Sequence, residues 1–499
     1  MRIIERMKQA IRSWLQIQPA NPQRFNITET LDYESNAIKN RIWYRGEADE
    51  LAQLYAQLQG PATRRRFWAA QSTPGMEIRK IHTGIPALIV DMLAHVTLSK
   101  LEIAVGQPGS PEYELWQEIA KDSQIRKRIE KAVKETLYIG DGAFKISFDN
   151  AISPYPIIEY YPGDRLELTV TRGRIREITF FTVYPRQSGD LILHEIYGRG
   201  YVRYELYDGD KQVPTDSIPE TADLVDVTYD GDYMLAVPIR FYESGRWDER
   251  GQSIYDKKID AFDSLDEAWS QWVDALRAGR AREYIPEDLV PRDPETGAVM
   301  APNPFDNRYI KTLSDMREGA QAKIEIEQPS IPHDSYLSTY ITALDLALQG
   351  LISPSTLGID VKKLDNAEAQ REKEKTTLYT RDTITDALQI DIPALIETTL
   401  RAYATYNGQA YTEPDINVSF GEYANPSFES QVETIAKART ARVMSIEATI
   451  DELYGDSKDD DWKAEEVQRL KDEAGYIDAD PGDFSIEDKE ADEEAGDET

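Results

Sequence analysis

The chain has 499 residues, 40% hydrophobic and 29% charged, enough to build several cores in a water-exposed molecule. It contains no cysteine, which excludes disulfides, thiol nucleophiles and Cys-ligated zinc, and suits synthesis in a reducing compartment. Ninety acidic against 57 basic residues leave a net charge of -33, which argues against a tight grip on nucleic acid but not against letting it slide past.

The acidity is uneven: 19 acidic and 5 basic residues fall between Asp456 and the end, so that stretch carries -14 and the rest -19. Four histidines, His82, His95, His194 and His333, are scattered without H-x-x-x-H spacing, so no metal site and no cofactor is expected. No stretch approaches the ~20 apolar residues of a membrane span. The opening MRIIERMKQAIRSWLQIQ is basic but broken by charge every few residues, unlike a signal peptide.

In chain order, Ile3, Ile4, Met7, Ile11, Trp14 and Leu15 recur at helical spacing, and further helices are predicted at Glu47 to Leu58, Ile85 to Ile103 and Glu112 to Tyr138. The last bears a basic stripe of Arg126, Lys127, Arg128, Lys131 and Lys134, read as a solvated face. From Ala143 to Tyr242 the pattern becomes short alternating runs (FKISF, RLELTV, REITFFTVY, LILHEIY, YVRYELY) separated by PGD, TRG, SGD and DGD, an antiparallel sheet. No phosphate-binding loop occurs, so nucleotide hydrolysis has no support and the chain is expected not to be a motor.

From Gly251 to Leu276 a long helix is predicted with two stripes. Ile254, Phe262, Leu265, Trp269, Trp272 and Leu276 form the apolar one, and Asp256, Asp260, Asp263, Glu267 and Asp274 the acidic one. Arg277 to Pro332 is rich in Pro, Asp and Asn, with a turn at DPETG and a strand at AKIEIEQPSI. A helix is expected from Asp334 to Gly350, then a loop, LISPSTLGIDVKKLD, closed by a capping box of Asp365 and Glu368. The longest helix follows, with Pro393 a possible kink, then the strand INVSFGEY, a helix pair, and a disordered acidic tail after Tyr476.

The order of these elements carries a resemblance. GQSIYDKKIDAFDSLDEAWSQWVDALRAGRAREYIPEDLV followed by NPFDNRY resembles the stem-and-clip region of portal proteins from long-tailed phages of Gram-positive hosts. NAEAQREKEKTTLYTRDTI resembles that family's helix after the loop, and VSFGEYANPSFE its strand-then-Pro boundary. The match spans Gly251 to Ile450; residues 1 to 250 agree in element order only. The resemblance implies an α+β, mainly α, elongated subunit. Its parts would be a wing (1–250), a first stem helix (251–282), a clip (283–332), a second stem helix (333–350) and a tunnel loop (351–365). A long helix with a wing strand (366–425), a helical crown (426–475) and the tail (476–499) would follow.

It also implies a non-enzymatic ring, usually of twelve subunits, at one capsid vertex of the virion, closed by head-to-tail interfaces. Double-stranded DNA would pass through it without sequence preference. The packaging terminase, the major capsid and scaffold proteins and a head-tail adaptor would be partners, with no membrane involved. On that reading Asp256, Asp260, Asp263, Glu267 and Asp274 line the channel, repelling a polyanion and keeping it centred. Ser353, Ser355, Gly358, Lys362 and Lys363 belong to the tunnel loop. Arg292, Asp293, Glu295 and Arg308 are clip contacts, and Trp269, Trp272 and Phe262 pack between subunits. Two alternatives stand beside it: another virion component such as an adaptor or minor capsid protein, and a carboxylate-dependent hydrolase. The triplet Asp459, Asp460 and Asp461 invites the hydrolase, but Asp456 to Val467 lacks the Gly and the final acid of a calcium loop.

Overall fold

The computed structural model describes residues 31–58, 65–71, 78–187, 189–279, 282–286, 289–290, 292–298, 309–312, 324–359, 367–421, 428–441, 443–454 and 459–473. Helix covers about 46% of the chain and strand 21%, so the class is α+β with helix dominant. Two compact units are present, Met1–Gly421 and Glu422–Thr499.

The first unit begins with α1 (Tyr33–Arg45), α2 (Ala48–Gln57) and α3 (Ile85–Leu98). Asp32 caps α1 by accepting from the Ser35 amide, and Gly46 ends it with φ of 73°. The predicted helix from Ile85 stops at Leu98, because Leu101–Val105 forms a strand, β1. The predicted helix from Glu112 is two helices, α4 (Pro111–Asp122) and α5 (Ile125–Ile139), broken where Gln124 takes φ of 48°. Of the α5 stripe, Arg126 and Arg128 donate to the Leu101 and Ser123 carbonyls, and Lys134 meets Asp91 and Glu130.

Strands follow at β2 (Asp141–Ser147), β3 (Ile157–Pro162), β4 (Leu166–Thr171), β5 (Arg174–Tyr184), β6 (Leu191–Gly198), β7 (Tyr201–Asp208), β8 (Lys211–Val213), β9 (Val227–Thr228) and β10 (Ala236–Arg240). They form two sheets: β10-β2-β3, and β4-β5-β6-β7-β8 with β9 beside β7, all pairs antiparallel. The polar/apolar alternation read in these runs is the alternation of the two sheet faces. The junction with the next helix is locked by Asp141, which is 2% exposed. Its carboxylate accepts two bonds from Arg250 at 2.9 Å, the Tyr33 hydroxyl at 2.7 Å and the Gly251 amide at 2.7 Å.

Next come α6 (Ile259–Ala278), β11 (Arg282–Pro286), β12 (Tyr309–Thr312), β13 (Glu325–Glu327) and α7 (His333–Leu348). Strand β11 pairs parallel with β12 and antiparallel with β13, so 282–327 holds a small sheet of its own. The 40-residue α8 (Ala367–Tyr406) leads to β14 (Ile416–Phe420), which pairs antiparallel with β1 across more than 300 residues of sequence. One large core joins α1 to α8, the β1–β14 pair and the two sheets of β2 to β10, but not the β11–β13 sheet, with Trp43, Trp116, Phe144, Phe180 and Phe262 among its fully buried side chains.

The second unit contains α9 (Phe428–Thr440), α10 (Ile446–Tyr454) and α11 (Asp460–Glu473). Tyr454 meets Trp462 edge-on at 4.9 Å, and Lys463 and Lys471 of α11 pair with Asp451 and Glu447 of α10. The predicted opening helix, the capping-box Asp365 and the acidic tail lie outside the described residues.

Candidate functional site

Helices α6 and α7 run antiparallel, side by side. Lys258, before α6, donates to the Leu346 carbonyl near the end of α7 at 2.8 Å. Midway, the Tyr340 ring lies 5.5 Å from Trp269 and 6.2 Å from Trp272. At the far end Gly279 abuts Ile331, where a Cβ would come within 2.3 Å of the Ile331 side chain. The β11–β13 sheet is therefore inserted at the tip of a two-helix pair.

Burial divides the pair lengthwise. Ile259, Phe262, Leu265 and Ala268 of α6, and Leu344, Ala347 and Leu348 of α7, are in the core. Beyond them Trp269 and Trp272 are half-buried, and Leu276 and Leu337 are 51% and 42% exposed. Phe262 packs 6.0 Å from Trp43 and 5.5 Å from Tyr255, inside its own protomer, so it is not available to a neighbour.

The acidic stripe also divides. Asp256 accepts from the Asn36 and Asn40 amides at 2.8 and 3.0 Å. Asp263, 6% exposed, accepts the backbone amides of Phe67 and Trp68, and burial pushes its carboxyl above the usual range against those bonds. These two acids hold the chain together internally. Asp260, Glu267 and Asp274 instead recur at steps of seven, about 10 Å apart along α6. Asp260 is 84% exposed and pairs with Arg66 at 2.7 Å; Glu267 accepts from Gln271; Asp274 is half-exposed.

A further acid of α6, Asp266, has as many partners as Asp141 and was not singled out by the sequence reading. It is fully buried and accepts from the Trp68 indole at 3.1 Å and from the Thr83 amide and hydroxyl at 2.9 and 2.8 Å. His82 Nδ1 lies 2.7 Å away, and His82 Nε2 is buried without a partner among the described residues. Ser270 accepts the Ile81 amide one turn on. Segments 65–71 and 78–84, which form no strand, thus direct backbone amides at α6 side chains. The signal for Asp266 was present: an acid beside Leu265 on an apolar stripe must find donors or be expelled.

The tunnel-loop candidates are tied down. The Ser353 amide donates to Thr377 Oγ1 at 2.9 Å, Ser353 and Ser355 share a 2.7 Å hydroxyl contact, and Thr380 donates to the Leu351 carbonyl. Gly358 takes φ of 69°. Lys362 and Lys363 lie outside the described residues. Of the clip candidates, Asp293 accepts the Glu295 and Thr296 amides, which hold its carboxyl below the usual range, and Arg292 contacts the Gly297 carbonyl, a closed turn. Glu295 is exposed, and Arg308 lies outside the described residues.

No three His, Asp or Glu residues that could hold a metal gather among the described residues, and no helix there is long and apolar enough to cross a membrane. No family model matches the sequence, and no curated protein matches it. Among solved structures, a chain of "Neck of native GTA particle computed with C12 symmetry" is 13% identical, covering 75% of this chain and 91% of that one, with a TM-score of 0.38. One of "Virion of native gene transfer agent (GTA) particle" is 14% identical over 79% and 96%, TM-score 0.37. One of "Neck of empty GTA particle computed with C6 symmetry" is 12% identical over 74% and 90%, TM-score 0.37. Likeness at this level carries no functional weight.

Proposed function

We propose that this chain is a structural subunit of a virion, and within that class a portal subunit whose ring forms a channel for double-stranded DNA. The observation that carries the reading is the antiparallel α6–α7 pair with the β11–β13 sheet at its tip. A helix pair that is buried at one end and keeps Trp272, Leu276 and Leu337 partly exposed at the other is suited to packing against copies of itself. Asp260, Glu267 and Asp274 are the carboxylates left to face a channel, Asp260 with Arg66 beside it, since Asp256 and Asp263 are engaged inside the protomer. An excess of carboxylates there would repel phosphates rather than hold the strand. The tip sheet is then the docking element for the packaging ATPase and later the head-tail connector, and the virion vertex is where the ring resides.

The purified chain is expected to form closed rings with a central hole by negative-stain imaging, with a native mass near twelve copies. A monomer or dimer at every concentration tested would overturn the reading. Reversing Asp260, Glu267 and Asp274 to lysine is expected to leave rings intact but lower the DNA packaged per particle, and full packaging would remove the channel assignment.

A further inference from the structure

We propose that the β4–β5 hairpin is a contact site for the phosphate backbone of double-stranded nucleic acid, carried by Arg172, Arg174 and Arg176. Thr171 and Arg174 close a two-residue loop whose residues, Arg172 and Gly173, take φ of 55° and 73°. That is the tight turn that matches strand twist. Two residues on, the register passes from Val170↔Ile175 to Thr169↔Glu177, leaving Arg176 as the extra residue of a bulge. The bulge lets Ile178 stay fully buried and Ile175 half-buried while Arg172, Arg174 and Arg176 are all exposed. Three guanidinium groups thus crowd one tip within five residues.

What sets the cluster apart is that three exposed arginines without a carboxylate partner fall within five residues. In a chain with 90 acidic residues, Arg41, Arg66, Arg186, Arg203, Arg240 and Arg250 each have a carboxylate partner. None of the three hairpin arginines has a hydrogen bond or ion pair among the described residues. The acid closest in sequence, Glu177, is engaged by the Tyr201 hydroxyl and by Arg203 at 3.2 Å. Arg174 also stands at the rim of a cleft of about 890 Å³, where Arg174, Arg199, Arg240 and Arg250 are balanced by Asp232, Glu243, Asp248 and Glu249, so that cleft offers an anion no net positive charge. The outer face of the hairpin is what remains.

Guanidinium groups bind phosphate oxygens in a bidentate fork, and alternate strand positions lie about 7 Å apart, a step that can follow a phosphodiester strand. Contacts to phosphate alone carry no sequence information. Three of them give a slope of about -2.7 in log affinity against log salt, so raising salt from 50 to 200 mM weakens binding about 40-fold. Such a contact is weak and reversible. It does not depend on the ring, and a protein of any oligomeric state tests it.

The test is fluorescence anisotropy of a labelled random-sequence DNA duplex with the full-length protein, titrated from 50 to 200 mM salt. The triple variant R172N/R174Q/R176Q uses Asn where the backbone is left-handed. It is expected to flatten the salt slope by about 2.7 per copy engaged, whereas R174K/R176K keeps it. In the unsubstituted protein, amide exchange across 166–177 is expected to slow when duplex is added. An unchanged slope in the neutralised variant, or unchanged exchange at the hairpin, would overturn the proposal. So would a poly-glutamate peptide that binds the same arginines more tightly than the duplex, which would assign the hairpin to an acidic protein partner. Loss of the slope in a protein that forms no rings supports the hairpin while sinking the portal reading, so the two fail separately.

Discussion

Replacing Asp266 by Ala probes the inward side of α6 directly. Substitution leaves the Trp68 indole, the Thr83 amide and His82 without their buried acceptor; only the Thr83 hydroxyl is free to rotate elsewhere. A buried donor left unpaired costs about 1–3 kcal/mol, and the losses within one network are not additive. A total of about 3–5 kcal/mol is expected, a large share of the stability of an ordinary domain. Asp260, two turns earlier, supplies the control: its carboxylate is exposed and its ion pair with Arg66 is screened by water, so Asp260→Ala should leave the unfolding midpoint almost unmoved. Urea denaturation of both variants, with hydrogen exchange at residues 78–84, measures the difference. Equal midpoints for the two would refute the division of this helix into an internal and an outward acidic face.

Two further outcomes follow from the same structure. Burial raises the Asp391 carboxyl from 3.8 to about 7, with Arg240 offsetting only part of the effect. The folded state therefore binds the proton more tightly than the unfolded chain, and stability falls as pH rises from about 4 to 7. The full shift corresponds to about 4 kcal/mol, which water at the partly exposed carboxylate reduces to about 2. Asp391→Asn should remove that slope and stabilise the protein at pH 8, and thermal unfolding at pH 5 and pH 8 with parallel curves for both proteins would contradict this. Gly46→Ala should cost about 2 kcal/mol or more, because φ is +73° and the added Cβ would approach the His82 ring to 2.7 Å. An unchanged denaturation midpoint would show that the α1 terminus and His82 move apart freely.

Much of the local structure was legible because burial repeats with the period of each element. The runs RLELTV, REITFFTVY, LILHEIY and YVRYELY alternate because one sheet face is covered, and they appear as β4 to β7. The helices expected from Gly251 and Asp334 were readable from apolar residues at steps of three and four. The first starts only at Ile259, because 254–258 form turns in which the Ser253 amide donates to Asp256 and the Tyr255 amide to Ser253. Leu101 to Ile103 reads as the end of a helix, since Leu101 and Ile103 extend the apolar pattern of α3, but these residues open the strand Leu101–Val105. Its β character comes from pairing with Ile416–Phe420, and no local window contains that partner.

The acidic stripe separates what each level decides. Sequence alone determined that carboxylates recur along α6 and that the chain carries no cysteine and no phosphate-binding loop. Only the tertiary structure decided which acids are engaged. Asp260 and Asp263 stand less than one turn apart, yet one meets water and the other the amides of Phe67 and Trp68. A helix presents every direction around its axis equally. What packs against each direction is set by segments distant in sequence, and here residues 65–71 and 78–84 cover the Asp263 and Asp266 side while Asp260 stays exposed with only Arg66 beside it.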